Sequence, residues 1–340
     1  MLFGVFDHLD RGSISLGDFY QARLRLIEAY DRSGFYAYHV AEHHGTPIGM
    51  APSPNLFLSA VAERTRTLRF GPLVYALPLH HPLRLIEEIC MLDQLSGGRL
   101  EIGFGRGASS IENSFFGGNA ADAEQIYREA LDIVLGGLAD GKVNFRGEFF
   151  SFENVPLALE PLQKPHPPVW YGVHSVESAE RAARRALNIV SLDSAAETRD
   201  FAAAYRNVWR EINGHRPMPK IGISRFVVIA ENARDALDAA RRAYAVWRRS
   251  FYYLYSNFGG APKHPRPATF DELTAAGEGI AGTPDEARDF FQRQMEESTA
   301  TYLIGQFAFG DLSLDESLRS VELFTRRVMP AIETAGNDKS

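Results

Sequence analysis

Cysteine is almost absent. Cys90 is the only one in 340 residues, which excludes an internal disulfide and any zinc site built on paired cysteines. It sits in the apolar-periodic run LRLIEEICMLDQL and reads as a small buried hydrophobe. Long apolar runs are also missing: no stretch approaches the roughly 18 residues of a membrane-spanning helix. The opening MLFGVFDHLD has neither the basic start nor the apolar core of a secretory signal. A cytoplasmic protein without a membrane partner is the expectation. An excess of positive charge is lacking, with 36 Lys and Arg against 43 Asp and Glu and a net charge of −7, so no basic field invites nucleic acid. A dinucleotide-type G-x-G-x-x-G, a helical H-E-x-x-H, internal repeats and low-complexity tracts do not occur either, which argues against a Rossmann domain, a zincin and a solenoid.

What is present is an alternation of short apolar runs with amphipathic segments along the whole chain, the pattern of βαβ units around a parallel sheet. Strands are predicted at 2–6, 35–41, 67–74, 100–105, 167–173, 188–192, 221–230 and 300–306. Leu16, Tyr20, Leu24 and Ile27 recur at helical spacing until Gly34 provides a left-handed stop. Ser53-Pro54 and Pro82 open further helices. Thr283-Pro284-Asp285-Glu286 and Ser313-Leu314-Asp315-Glu316 both match the S/T-x-x-E capping box. Eight strands favour a closed (β/α)8 barrel of the TIM type over an open doubly wound sheet, and 45% apolar content supports a single domain over 1–340. Residues 251–281 carry aromatics, prolines and glycines without sustained periodicity, and are predicted to be a late irregular insertion, either an active-site lid or a surface loop.

Reactive groups of such a barrel belong just after the strands. Asp7 and His8 follow the first, Glu42, His43 and His44 the second, and His80 and His81 the third. Neighbouring side chains of an extended segment face opposite ways, so one histidine of the pair at 43 and 44 should face the mouth. Each histidine taken singly is as well explained as a hydrogen-bonded core or surface residue. A metal-dependent hydrolase using His43, His44, His80 and Asp7 is an alternative, although the spacing matches no metal motif and no metal site is expected. GFGRG (103–107) combines three glycines with Arg106, suited either to a phosphate or simply to tight turns. In VHSVES (173–178), Ser175 and Ser178 open a helix and could bind an anion or only cap it.

In order, the segments FGVF, AEHHG, GPLVYALPLHHPLRLIEEICMLDQLSGGRLEIGFGRG, VHSVES and SVELFTRRVMP resemble the bacterial luciferase-like flavin-dependent monooxygenases over nearly the whole chain. The resemblance implies a (β/α)8 barrel that binds reduced FMN with its ring in the mouth. Arg106, Ser175 and Ser178 match the phosphate side, and Phe6 the position beside the ring. Leu73 and Val74 match a non-prolyl cis peptide beneath it. His43 matches the catalytic histidine. The implied chemistry is reaction of reduced FMN with O2 at C4a to a hydroperoxide that oxidises a small organic substrate, shielded from water. A separate NAD(P)H:flavin reductase is implied as partner, as is a homodimer through the helices around 54–65 and 83–96, which could equally be barrel packing. Gly105 stands where luciferase has a reactive cysteine and His174 where it has an acidic residue, so light emission from a long-chain aldehyde is not implied. Gly105 would enlarge the pocket, and Phe251, Tyr252, Tyr253, Tyr255 and Phe258 suggest an apolar substrate. The alternatives are a hydride-transferring oxidoreductase of the same fold using coenzyme F420, and a flavin-binding protein without turnover.

Overall fold

The computed structural model describes residues 1–107, 109–214 and 216–332. Its central sheet contains eight parallel strands: β1 (Leu2–Asp7), β2 (Ala37–Val40), β3 (Arg69–Pro72), β4 (Ile102–Gly105), β5 (Val169–Gly172), β6 (Asn188–Ser191), β7 (Ile221–Ile229) and β8 (Tyr302–Gln306). Pairing runs β3-β2-β1-β8-β7-β6-β5-β4. The ring closes where Phe70 bridges Leu100, its N–H reaching the Arg99 carbonyl at 3.1 Å and its own carbonyl receiving the Glu101 N–H at 2.8 Å. All eight predicted strands are present, and the barrel is closed.

Glycine makes that seam possible. A Cβ on Gly71 would lie 1.7 Å from the Glu101 carbonyl oxygen, and one on Gly103 would lie 2.6 Å from that of Pro72. Side chains pointing outward from the strands pack against helices α1 (Leu16–Arg32), α2 (Pro54–Arg64) and α3 (Pro82–Leu95), and further along against α4 (Ser110–Phe115), α5 (Ala123–Asp140), α6 (Val176–Arg184) and α7 (Ala195–Asn213). Helices α8 (Ala233–Phe258), α9 (Phe270–Ala275), α10 (Pro284–Ser298) and α11 (Leu314–Leu323) complete the outer layer. Gly34 takes φ 79° just past α1, as its stop required, and Cys90 is buried in α3. Thr283 and Ser313 form full capping boxes. Ser53 stands at the start of α2 but its hydroxyl makes no capping bond; Pro54 at the first turn, which needs no N–H there, sets the start instead.

The N-terminal end of the barrel is plugged by a polar network. Glu101 accepts from Arg69 Nε at 2.7 Å, from the Tyr36 hydroxyl and from the Trp170 indole N–H, and His39 Nε2 meets the Tyr302 hydroxyl at 3.0 Å. Burial lowers the pKa of His39 to about 4, so its imidazole is neutral. Side chains thus fill the N-terminal end of the barrel interior.

The late insertion is more regular than its sequence suggested. Of 251–281, residues 251–258 continue α8, 270–275 form α9 and Gly279–Gly282 adds a parallel strand beside the second half of β7; irregular backbone is confined mainly to 259–269. Tyr244, Trp247, Phe251 and Leu254 make a stripe at helical spacing on α8, which the flanking Tyr252, Tyr253 and Tyr255 obscure in the sequence.

Candidate active site

At the C-terminal mouth the two histidines after β2 diverge. His43 Nδ1 lies 3.1 Å from Glu112 Oε1, an atom that also accepts the His44 backbone N–H at 2.8 Å. Because Oε1 already serves as acceptor, Nδ1 of His43 is the donor, and its Nε2 is left as the basic nitrogen. His44 turns the other way: its Nε2 binds Glu42 at 2.9 Å and its ring packs edge-on against Phe116. His80 Nε2 reaches the same Glu42 carboxylate at 2.9 Å, and the Ala76 N–H adds a bond of 3.1 Å. Burial alone would raise the Glu42 pKa, but the bonds from His44 and His80 outweigh it and hold the carboxyl at about 2. Glu42 therefore braces the loops after β2 and β3 as a fixed anion.

His43 faces His8, the residue that follows β1. Their rings are 6.0 Å apart at 19°. His8 also meets Phe6 edge-on at 4.7 Å, and its Nδ1 accepts a long bond of 3.4 Å from the Trp247 indole N–H of α8. Burial pushes the His8 pKa well below its ordinary range, with His43 and Arg266 acting in the same direction. Asp7, in contrast, points into the wall. It accepts the Leu9 N–H at 2.7 Å and the Tyr38 hydroxyl at 3.2 Å, and pairs with Arg23 at 3.6 Å. With Asp7 in the wall and His44 and His80 tied to Glu42, the metal set raised from the sequence does not converge. Among the described residues the one group whose potential ligand atoms do come together is His174, Asp193 and His264, all within 4.8 Å.

The Leu73–Val74 peptide is cis. Leu73 packs beside Phe6, Val190 and Ile304 in the barrel interior. The Val74 side chain occupies the space a residue at 105 would need, since a Cβ on Gly105 would fall 2.5 Å from Val74 Cγ2. Gly105 therefore does not enlarge the pocket; its missing side chain makes room for Val74. Arg106 is exposed and bonded to Glu124 at 3.3 Å. Ser175 and Ser178 form a capping box at the start of α6, with the Ser178 N–H on the Ser175 hydroxyl at 3.2 Å and the Ser175 N–H on the Ser178 hydroxyl at 3.1 Å. Beside them, His174 Nδ1 meets Asp193 at 3.0 Å and its ring stacks on His264 of the insertion at 4.1 Å.

The family model for luciferase-like monooxygenases matches residues 1–307. The chain belongs to the luciferase-like monooxygenase family. The protein y4wF of Sinorhizobium fredii is 42% identical over 336 residues, spanning 98% of this chain and 97% of its own length. The oxygenase component of the flavin-dependent trigonelline monooxygenase of Acinetobacter baylyi is 31% identical over 246 residues, 71% of this chain and 68% of its own. Among solved structures, the monooxygenase RslO1 from Streptomyces bottropensis matches with a TM-score of 0.88 at 26% identity, covering 97% of this chain and 99% of that one.

The structure of this luciferase-like monooxygenase brings His43, Phe6, Leu73 and Val74 to the mouth or the interior beneath it. Arg106 lies on the loop after β4, and Ser175 and Ser178 at the N-cap and in the first turn of α6, which follows β5. Glu112 was not legible as a partner of His43, although Ser109-Ser110-Ile111-Glu112 spells an S-x-x-E signal that marks the start of α4, and Ser109 does cap that helix. Trp247 was hidden inside a helix 239 residues away from His8 in sequence. No local pattern announces such a pairing.

Proposed function

We propose that this luciferase-like monooxygenase uses reduced FMN, delivered by a separate NAD(P)H:flavin reductase, and O2 to oxygenate a small, largely apolar organic substrate in the cytoplasm, with the whole chain 1–340 as one barrel domain. The observation that carries the reading is His43: a mouth histidine anchored through Nδ1 by a buried carboxylate, leaving Nε2 free to take and return a proton. The residues present suit the group. Phe6 and Leu73 provide an apolar floor, Leu73–Val74 an edge for a flat ring, and Arg106 with the N-terminal turn of α6 the donors for one phosphate. Bound there, reduced flavin would supply the two electrons that activate O2.

The chain's own residues do the rest. Glu112 fixes the His43 tautomer, Phe6 and Leu73 exclude water, and α4 and α8 flank the mouth. Phe115 of α4 meets Phe258 of α8 edge-on at 5.3 Å, which supports the reading of this region as a lid. A deazaflavin with an acidic oligoglutamate tail would require a basic groove, whereas the chain carries a net charge of −7 and the rim beside α6 carries Asp193. This favours FMN. The name of the trigonelline relative, an oxygenase component, supports the separate reductase. A homodimer through α2 and α3 is supported by Leu56, Met91 and Leu95, which are 77%, 52% and 59% exposed on those adjacent helices.

His43→Ala tests the assignment. It should bind reduced FMN with unchanged affinity yet lose product formation by about 10² to 10⁴, with the consumed O2 released as hydrogen peroxide. Undiminished product formation would remove His43 from the chemistry, and a wild-type protein that binds reduced FMN without any turnover would instead be a flavin carrier.

A further inference from the structure

His43 and His8 face one another as a pair with opposite hydrogen-bonding character. Glu112 receives the Nδ1 proton of His43 at 3.1 Å, which leaves Nε2 of that ring as an acceptor. Trp247 acts on His8 in the opposite sense. An indole N–H can only donate, so the bond from Trp247 Nε1 at 3.4 Å makes His8 Nδ1 the acceptor and puts the proton of the neutral ring on Nε2. Among the described residues neither Nε2 has a hydrogen-bond partner, while both Nδ1 atoms are tied from behind. The His8 ring is kept neutral by burial, with His43 and Arg266 as the charged or titratable groups that bear on it. Around this donor and acceptor the wall is aromatic: Phe6 meets His8 at 4.7 Å, and Trp247 stacks on Phe251 at 5.3 Å and on Tyr244 at 5.4 Å.

We propose that His8 is a second substrate-contacting and specificity-determining residue, whose Nε2–H donates to an oxygen atom of the substrate opposite the Nε2 acceptor of His43, so that the mouth selects compounds carrying a carbonyl or hydroxyl oxygen on an apolar frame. This rests on the flavin monooxygenase reading for the identity of the site. Its chemistry is separate. A donor fixed in an aromatic surround discriminates against an analogue lacking the oxygen, because the N–H that such a ligand covers from water is then left unpaired.

The test begins with the full-length protein, free of cofactor and with histidine labelled with nitrogen-15. The His8 ring should show its proton on Nε2, without titration across the range in which an ordinary histidine ionises, and Trp247→Phe should shift its nitrogen signals. A proton on Nδ1, or ordinary titration, overturns the proposal. Binding of acetophenone and of its oxygen-free counterpart ethylbenzene is then measured on wild type, His8→Leu and His8→Gln, each with and without reduced FMN under argon. Wild type should prefer acetophenone by about tenfold over the preference shown by His8→Leu. His8→Gln, which restores an N–H at similar reach, should recover most of that preference. An identical preference in wild type and His8→Leu overturns the proposal, as does loss in His8→Gln equal to that in His8→Leu. Failure of the reduced-FMN arm alone, with the acetophenone preference intact, refutes the flavin reading and leaves the His8 assignment standing.

Discussion

Glu42 holds the mouth together through charge that is present only when its carboxyl is ionised. Its pKa lies at about 2, below the ordinary value of 4.5, because the hydrogen bonds from His44, His80 and the Ala76 N–H outweigh the cost of burial. A depressed folded-state value stabilises the fold fully above the unfolded value, and that stability is lost as pH falls from 4.5 toward 2. The contribution at neutral pH is about 3 kcal/mol. Urea unfolding of wild type and Glu42→Gln as a function of pH checks this. Their difference should be constant at neutral pH and shrink progressively as pH drops below the ordinary carboxylate range. A difference that grows on acidification would contradict it. Of the residues in this cluster, Glu42 and the histidines were visible as a triplet after a strand, but which of them faced inward depended on partners supplied from α4 and from the loop after β3.

At the scale of elements, the strands were legible because each is a short apolar run bounded by turn or capping signals, and all eight occur where those signals put them. The insertion was not, since the helical stripe of Tyr244, Trp247, Phe251 and Leu254 is embedded among further aromatics that break the contrast on which periodicity depends. Gly105 is instructive in a different way. From sequence it meant a vacant pocket, whereas the structure fills that volume with Val74. Strand β4 thus supports the Leu73–Val74 edge by being glycine there. Gly105→Ala should cost about 1–3 kcal/mol by overpacking, measured by denaturant unfolding, and should weaken reduced-FMN binding because Val74 must move. A variant with unchanged stability and affinity would show that Val74 is free to shift.

For the whole molecule, the family, the barrel and the mouth follow from one arrangement: eight strand ends converge on one face while a polar network closes the other. The proposed dimer uses the side of the barrel rather than its mouth. Leu95→Lys combined with Leu56→Lys should convert a homodimer to a monomer in light scattering, with the fold intact by circular dichroism; retention of the dimer would put the interface elsewhere. No described helix is long and apolar enough to cross a membrane. The central claim is that the mouth receives reduced FMN and directs its reaction with O2. The most direct measurement is an anaerobic titration of the full-length protein with photoreduced FMN and, separately, with reduced deazaflavin, followed by rapid mixing with oxygenated buffer under absorbance detection. The account predicts saturable binding of reduced FMN in preference to the deazaflavin, and reoxidation on the protein that proceeds differently from that of free flavin. Tight binding of the reduced deazaflavin, with FMN reoxidising as it does in buffer, would contradict it.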